Sequence, residues 1–241
     1  MMKEEFKEEF YESVKKELFT NILPYWEEHS KDTVNTGFFG KIDNDNNKYT
    51  NIPRSIVMTS RFLWTYSAIA RLTKDKKYLE MADFAYDVII NKYFDKKNGG
   101  VYWSVKPDGT PDVSKKQIYG EAFCCYGLSE YAAAVKELIE EGEVSPCAPA
   151  SKESSATLSA GDTPATPPLS EEAMNRALDL FYLVEEFAYE KEEGGYVETR
   201  AEDWKETKDM ILSSKDMNCP KSMNTNLHVM EAYTNLYRTL P

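Results

Sequence analysis

The sequence contains little of what metal sites, disulfide frameworks and nucleic-acid-binding proteins need. Its 241 residues include only two histidines and four cysteines. The cysteines lack the Cys-x-x-Cys spacing that zinc sites use; they are Cys124, Cys125, Cys147 and Cys219. Acidic residues outnumber basic ones by 41 to 29, which gives a net charge of −12, and no basic cluster interrupts this negative charge. We therefore expect no metal, no disulfide framework, and no binding to nucleic acid or to an anionic membrane.

Long apolar runs are also missing. The N-terminal segment, MMKEEFKEEFYESVKKELF, is charged where a signal peptide would need an apolar segment. No stretch of about 18 apolar residues, the length of a membrane-spanning helix, occurs anywhere. With 41% hydrophobic, 13% aromatic and 29% charged residues, the composition is that of an ordinary globular protein. These features predict a reduced, cytoplasmic protein.

An internal repeat organises the chain. Three glycine-aromatic turns, at residues 36–40, 99–103 and 194–198, each follow a helical stretch. The interval from Gly37 to Gly100 is shorter than the interval from Gly100 to Gly195. Residues 142–169 account for the difference, because 20 of these 28 positions are Pro, Ser, Thr, Ala or Gly and none is aromatic. We interpret 142–169 as a low-complexity, disordered insertion in a repeat of roughly 65 residues.

Each repeat is predicted to contain two helices of different polarity. Charged residues number ten, eight and six in the odd windows 3–22, 74–93 and 170–189, but only three, three and two in the even windows 53–72, 116–135 and 222–239. The odd helices can therefore face water on one side, whereas the even helices should be surrounded by protein. This alternation predicts an all-α fold, a two-layer toroid of helical hairpins with the even helices inside.

Long loops on one rim, with short β-hairpin edges, would join each outer helix to the next inner helix. Six hairpins of about 65 residues would need roughly 390 residues, so this chain holds about three of the six hairpins of an (α/α)6 barrel. We interpret residues 1–241 as the N-terminal half of such a barrel. Because of the apolar flanks at its open edge, the chain alone is expected to be either marginally stable or self-associating.

The last predicted helix carries a polar stripe. His228 and Glu231 are three residues apart and share a face, with Asn224 one turn before them. A stripe facing solvent is the simplest interpretation for an amphipathic helix. Because this helix belongs to the inner layer, the stripe is equally compatible with a central cavity in which His228 is functional.

Arg61 is the second unusual residue, since it lies in the middle of an otherwise apolar inner helix. A guanidinium stays charged, so it requires a polar or anionic partner when buried. One interpretation is a structural salt bridge, for example to Glu231 or Glu121. The other is an electrophile that faces the cavity and holds a carbonyl or enediolate oxygen.

Other side chains suit carbohydrate chemistry less specifically. Four aromatic residues could stack on sugar rings, although most aromatics belong to the core: Trp64, Trp103, Tyr119 and Trp204. A hydrolase would have to use Glu121, Glu130 or Glu231 as its acids. His29, at the end of the first charged helix, is expected to be exposed and without a catalytic part.

Several segments together form a recognisable pattern: 215–225 (KDMNCPKSMNT), 227–238 (LHVMEAYTNLYR), 60–67 (SRFLWTYS), 116–119 (KQIY) with Ala122 and Phe123, and the Gly99-Gly100 turn that ends at Trp103. In this pattern the chain resembles the N-acylglucosamine 2-epimerase family, and within it the cellobiose 2-epimerases. The resemblance covers nearly the whole chain outside 142–169. Asn226 stands where relatives often carry another histidine, and the family's second histidine lies in the half that this chain lacks.

The resemblance implies a cofactor-independent isomerase with an (α/α)6 barrel. Such an enzyme inverts C2 of the reducing-end glucose of a disaccharide such as cellobiose, through deprotonation to an enediolate and reprotonation on the other face. By motif, His228, Arg61 and Glu231 match the catalytic histidine, arginine and glutamate. Tyr119 resembles a substrate-contacting tyrosine of the family, and we expect Asn224 and Trp64 to bind substrate as well.

Two other functions remain open at this point. One is a non-catalytic half barrel that binds carbohydrate or protein, and the other is an (α/α)6 glycoside hydrolase with two carboxylates about 5–10 Å apart. This chain alone is expected to be inactive or weakly active as an epimerase, because it would lack half of the pocket.

Overall fold

The computed structural model describes residues 2–35, 37–142, 169–211 and 217–240. The predicted insertion 142–169 lies outside the described residues, apart from Gly142 and Leu169 at its two ends. The helices are α1 (Met2–Glu17), α2 (Leu23–His29), α3 (Ile56–Thr73), α4 (Lys76–Val88), α5 (Ile118–Glu140), α6 (Leu169–Phe187) and α7 (Met223–Thr239). A π-helical turn, Leu18–Ile22, joins α1 to α2, and another, Ile89–Tyr93, extends α4.

Side-chain caps set where several helices begin. Ser55, Asp75 and Ser222 stand at the N-caps of α3, α4 and α7, and the side chain of each accepts a hydrogen bond from a backbone N–H of the first turn. Between α3 and α4 the chain reverses within two residues, because Lys74 adopts a left-handed conformation with φ 59° and ends α3. This is the tight return that the sequence predicts between an inner and an outer helix.

The helices form the two predicted layers. Helices α3, α5 and α7 are the inner layer, and α1–α2, α4 and α6 are the outer layer. In the inner layer α5 packs against both α3 and α7, while in the outer layer α4 packs on α3 and α6 packs on α5. The three hairpins form part of a toroid, as predicted.

Short antiparallel strands lie in the rim loops, as expected. They are β1 (Lys41–Ile42), β2 (Lys48–Tyr49), β3 (Arg54–Ser55), β4 (Ser104–Val105), β5 (Pro111–Val113), β6 (Lys116–Gln117) and β7 (Thr199–Arg200). Strand β1 pairs with β2, β3 with β4, β4 with β5, and β6 with β7. The pairs β3–β4 and β6–β7 connect successive repeats immediately before an inner helix begins.

The three glycine turns share one pattern of backbone hydrogen bonds. In each turn, the residue after the glycine forms an isolated antiparallel bridge with the end of the preceding outer helix; the pairs are Lys31–Phe38, Phe94–Val101 and Tyr189–Tyr196. The backbone N–H groups of Asp32, Asp95 and Glu190 donate to the glycine carbonyls at 2.8, 2.9 and 2.9 Å. Gly100 and Gly195 have φ of 71° and 78°, a conformation that glycine adopts without strain.

An ion pair anchors each turn to the start of the following inner helix. Asp32 pairs with Arg54, Asp95 with Lys116 at 2.9 Å, and Glu190 with Lys221. The first two pairs are buried, whereas the third is partly exposed. In each repeat the acid follows the outer helix and the base stands directly before the N-cap of the inner helix, so the pair sets the spacing between the two layers.

The inner helices differ in how completely they are covered. Helix α5 is buried over most of its surface, as its apolar sequence predicts. Helix α7 departs from the expectation that inner helices are surrounded by protein, since Met223, Met230 and Tyr237 are exposed. Within the described residues only α5 and α6 cover α7, so one of its flanks meets no helix.

The first charged helical stretch runs from α1 through the π turn and α2 to His29. This agrees with the expectation that His29 lies at the end of the first charged helix. Helix α5 runs to Glu140, close to the start of the segment 142–169.

Candidate active site

Equivalent positions of the three inner helices line the concave side of the toroid. Six residues after their N-caps, α3, α5 and α7 carry Arg61, Phe123 and His228. Two residues after the caps stand Val57, Tyr119 and Asn224, and nine residues after them stand Trp64, Tyr126 and Glu231. The six residues that the sequence predicts as a site therefore belong to three neighbouring rows on one face.

His228 is the best-placed base in this surface. Its Nδ1 atom lies 2.6 Å from Oε2 of Glu231, one helical turn further on. A carboxylate only accepts hydrogen bonds, so Nδ1 carries the proton that it donates to Glu231, and in the neutral imidazole Nε2 has the lone pair. The histidine is thus oriented by its own helix, with a basic nitrogen available to a bound molecule.

Two aromatic rings hold the imidazole from the α5 side. The ring of Tyr119 meets it edge-on with centroids 4.8 Å apart, and the ring of Phe123 lies 4.7 Å away. These contacts restrict the rotation of the imidazole. They also leave His228 half-buried rather than freely solvated.

Arg61 reaches the same surface from α3. Its side chain is exposed, and the guanidinium carbon lies 4.6 Å from the centroid of the Phe123 ring, a cation–π contact. Phe123 therefore touches Arg61 and His228 at once. The structural salt bridge to Glu231 or Glu121 was the wrong interpretation of Arg61, since Glu231 pairs with His228 and Glu121 is buried beneath the glycine turn.

Trp64 and Tyr126 form an aromatic platform in the next row. Their rings are stacked with centroids 5.0 Å apart and an angle of 11° between planes. Partial burial, and to a smaller extent the nearby carboxylates, raise the pKa of Tyr126, so its hydroxyl stays protonated. A flat, neutral aromatic surface of this kind suits the apolar C–H face of a sugar ring.

Asn224 lies in the first turn of α7 with its side chain exposed. It shares a row with Tyr119, and this row runs along the rim side of His228. The structure thus places Asn224 on the predicted face without fixing its side chain through a contact to the other five residues.

Glu121 does not face the concave surface. It is completely buried, and both of its carboxyl oxygens lie 3.1 Å from the backbone nitrogen of Val101. Burial raises the pKa of Glu121 to about 8, against the opposing effect of the Lys116 charge. This side chain supports the glycine turn and is unavailable to a substrate.

Glu130 is held by two arginines. Its carboxylate accepts hydrogen bonds from Arg71 of α3 at 2.6 Å and from Arg238 of α7 at 2.7 Å. The glutamate thereby ties α5 to both neighbouring inner helices. Because both arginines bind its carboxylate, Glu130 is not a candidate for a catalytic acid.

The other residues that the sequence singled out contact parts of the protein that support the fold. Trp204 is buried, stacks on Phe187, and donates from Nε1 to the carbonyl of Asn98 at 3.1 Å. Trp103 packs edge-on to Tyr119 at the rim. His29 ends α2 as predicted, but it is half-buried against the ring of Tyr25 rather than exposed.

Sequence reasoning missed two residues. Phe123 stood out only as part of a motif, although counting from the N-caps places it level with Arg61 and His228. Asn226, one helical turn before Met230, accepts from the backbone N–H of Tyr196 at 2.9 Å and so fixes the third glycine turn. Aligning the three inner helices from their N-caps would have identified both residues, since each has an equivalent at the same position of another repeat.

The described residues contain no group of three His, Cys, Asp or Glu side chains arranged to hold a metal ion. Of the cysteines, Cys124 and Cys125 are buried and free, and Cys219 is half-buried and free. None of the helices in the described ranges combines the length and apolarity needed to cross a membrane.

Comparison with known proteins identifies similar chains. Residues 37–142 match the model of the N-acylglucosamine 2-epimerase (GlcNAc 2-epimerase) family. A cellobiose 2-epimerase from Bacteroides fragilis is 38% identical over 227 residues, which are 94% of this chain and 50% of that protein. One from Dictyoglomus turgidum is 32% identical over 93% of this chain and 49% of its own length. The chain spans about half the length of the curated relatives it matches.

The fold agrees with solved structures. The cellobiose 2-epimerase of Bacillus thermoamylovorans superposes with a TM-score of 0.77 at 31% identity, over 96% of this chain and 51% of that one. The enzyme of Spirochaeta thermophila gives 0.75 at 31% identity, over 96% and 49%. These neighbours are (α/α)6 barrels, and the three hairpins described above correspond to part of one.

Proposed function

We propose that this chain, which resembles the N-acylglucosamine 2-epimerase family and is similar to cellobiose 2-epimerases, provides one catalytic side of a sugar 2-epimerase. The substrate class is a disaccharide with glucose at its reducing end, such as cellobiose. The observation that carries the proposal is the His228–Glu231 pair, placed on the concave surface beside an arginine and an aromatic platform.

The chemistry follows from the acidity of a C–H group next to a carbonyl. In the open-chain sugar, Nε2 of His228 removes the proton from C2. The C2–H electrons form a C1–C2 double bond, and the aldehyde oxygen becomes an oxyanion. Glu231 stabilises the imidazolium that results, because its carboxylate accepts from Nδ1–H.

Arg61 supplies the opposite charge for the intermediate. Its guanidinium is held over Phe123 and stays protonated, so it can donate hydrogen bonds to the enediolate oxygens. Tyr119 and the Trp64–Tyr126 platform offer stacking surfaces for the sugar rings, and Asn224 offers a polar contact near the rim. No step in this sequence requires a cofactor.

The direction of reprotonation decides the product. If the proton returns to the face from which it left, C2 exchanges its hydrogen with solvent but keeps its configuration. Inversion needs a second acid on the other face of the enediolate. His228 in a single copy is therefore expected to catalyse exchange at C2 of one epimer without inversion.

An isotope experiment tests this function. Cellobiose, and separately its C2 epimer with mannose at the reducing end, is incubated with the protein in heavy water, and the C2–H signal is followed by NMR. We expect loss of this signal for at least one epimer, and a loss of rate of at least about 10³-fold in His228→Asn, within the range for removing a catalytic base. His29→Asn is the matched control and should retain the rate. Exchange that survives in His228→Asn would refute the assignment.

The structure disfavours a glycoside hydrolase. Such an enzyme needs two carboxylates facing the cavity, but Glu121 is buried under Val101 and Glu130 is bound by Arg71 and Arg238. Glu231 is engaged with His228. Release of free glucose from cellobiose would favour the hydrolase, and binding without exchange would favour a non-catalytic module.

A further inference from the structure

The ring of Phe123 lies at the centre of the residues that form the candidate site. Its centroid is 4.6 Å from the guanidinium carbon of Arg61, 4.7 Å from the centre of the His228 ring and 5.0 Å from the centre of the Tyr119 ring. Phe123 is only 6% exposed, so it lies beneath these three side chains. A molecule on the concave surface meets the residues above the ring, and Phe123 acts on it through them.

Close packing of α3 and α5 fixes the distance between α3 and the Phe123 ring. Gly120 and Gly127, three residues before and four after Phe123, have no side chain at this contact. A Cβ atom at Gly127 would lie 2.9 Å from the carbonyl oxygen of Ser60. One at Gly120 would lie 2.9 Å from Cγ2 of Ile56. The two helices therefore touch on both sides of Phe123, and no flexible loop intervenes.

A buried hydrogen bond fixes α7 to the same helix. Nδ2 of Asn235 in α7 donates to Oγ of Ser129 in α5 at 2.8 Å, and both residues are buried. His228 lies two turns before Asn235 on α7. Its approach to Phe123 is thus set by helix packing as well.

Arg61 depends on the ring of Phe123 for its position. No carboxylate in the described ranges pairs with its guanidinium, and the cation–π contact is the interaction that holds it. The face of an aromatic ring carries negative potential and attracts a cation within about 6 Å of its centre. The contact therefore keeps an exposed, long side chain in one place on the concave surface.

The imidazole of His228 becomes a second cation in the proposed reaction, when Nε2 takes the proton from C2. At 4.7 Å between ring centres, the imidazolium is within range of the same aromatic ring. Two positive groups in direct contact would repel each other. Phe123 separates them and attracts both.

We propose that Phe123 is a positioning residue, whose π face holds the guanidinium of Arg61 and the imidazole of His228 at one separation. The proposal rests on the proposed function, because this separation lets the arginine donate to the enediolate oxygens while Nε2 faces C2 of the same sugar. Since Phe123 lies beneath both groups, it acts on the rate of proton transfer rather than on the binding of the sugar.

Fluorination tests the π face with little change in the shape of the side chain. Phe123 is replaced by mono-, di- and trifluorophenylalanine through codon suppression, and C2–H exchange of cellobiose and of its C2 epimer is followed by NMR in heavy water. Each fluorine weakens the negative potential of the ring face. The maximal exchange rate should fall stepwise, by about 3- to 30-fold for the trifluoro ring, as for loss of a cation–π contact, while KM stays nearly constant.

The matched control is the same series at Phe181, which packs edge-on to Tyr233 from the outer helix α6. It should keep the wild-type exchange rate. Urea unfolding of the fluorinated proteins should also match the wild type, because the apolar volume is nearly preserved. A rate that stays constant across the Phe123 series would overturn the proposal.

Phe123→Leu removes the ring and keeps an apolar side chain. It should lower the maximal exchange rate by about 10²-fold, the size of effect that misplaced catalytic groups produce. Restoring the ring with Phe123→Tyr should recover part of this rate. A leucine variant with the wild-type rate would overturn the proposal as well.

An NMR measurement without substrate separates this proposal from the proposed function. The ring current of Phe123 shifts the Nε–H signal of Arg61 and the imidazole C–H signals of His228, and Phe123→Leu should move both sets. If these signals move but the wild-type protein exchanges no C2–H, the contacts of Phe123 are supported and the epimerase is refuted. If the wild type exchanges C2–H at a rate that fluorination leaves unchanged, the epimerase is supported and the role of Phe123 is refuted.

Discussion

Glu121 and Asn226 occupy the same position in two different inner helices, four residues after the N-cap, and perform the same task. The backbone N–H of Val101 donates to Glu121 and that of Tyr196 donates to Asn226, in both cases from the first residue after a glycine turn. One repeat thus uses an ionisable side chain where another uses a neutral amide. Because burial favours the neutral, protonated form of Glu121, an uncharged side chain such as Asn226 can perform the same task in the other repeat.

Glu121→Gln should make the unfolding free energy less dependent on pH. An unfolded glutamate loses its proton near its ordinary pKa of 4.5, whereas in the folded protein burial raises the pKa of Glu121 to about 8. Between these values the native state binds more protons than the unfolded state, so stability falls as pH rises, by about 1.4 kcal/mol per pH unit. Urea titrations from pH 5 to pH 8 measure this slope. A slope that is unchanged in the glutamine variant would contradict the raised pKa.

Lys116→Met should destabilise the protein far more than Lys221→Met. Lys116 and Asp95 form a fully buried pair, so removing the lysine leaves an uncompensated charge at a cost of about 3–5 kcal/mol. Lys221 holds the equivalent turn in a partly exposed position, where solvent screens the ion pair and removing it costs little. Thermal or urea unfolding of both variants checks the order. Lys116→Met/Asp95→Asn should recover part of the lost stability, because the buried charge is gone.

Glu231→Gln should reduce C2 exchange by about 10²-fold while leaving the fold intact. A glutamine can still accept from Nδ1–H of His228, but it cannot stabilise the imidazolium by charge. Glu231→Asp keeps the negative charge and should recover part of the rate, which a purely structural role would not predict. A glutamine variant that exchanges C2–H at the wild-type rate would assign Glu231 to structure only.

Arg61→Met should lower C2 exchange by about 10²–10³-fold, the range for losing a group that stabilises an oxyanion. The unfolding free energy should change by no more than about 0.5 kcal/mol, because the side chain is exposed and contacts Phe123 only through its guanidinium. Arg61→Lys keeps the charge and should recover part of the rate. Equal rates in the methionine variant and the wild type would remove Arg61 from the mechanism.

The features that could be predicted from the sequence are those that local physics determines. Apolar spacing of 3.6 residues and the glycine turns defined three hairpins, and the count of charged residues defined the alternation between inner and outer helices. The i, i+3 spacing of His228 and Glu231 put both on one face of α7 before any tertiary contact was known. A helix imposes that relationship by its own geometry, so the prediction was confirmed.

Only the tertiary structure decided which polar groups pair across repeats. Asp95 is distant from Lys116 along the chain, as Glu190 is from Lys221, and nothing in their local sequence indicates that they meet. The same holds for the two arginines on Glu130. The sequence shows that Arg61 is unusual, but only the packing of the helices places its guanidinium over the Phe123 ring. Packing likewise places Glu121 next to the backbone N–H of Val101 in the glycine turn. Contacts between helices depend on how the layers pack, and that information is spread over the whole core rather than held in any short segment.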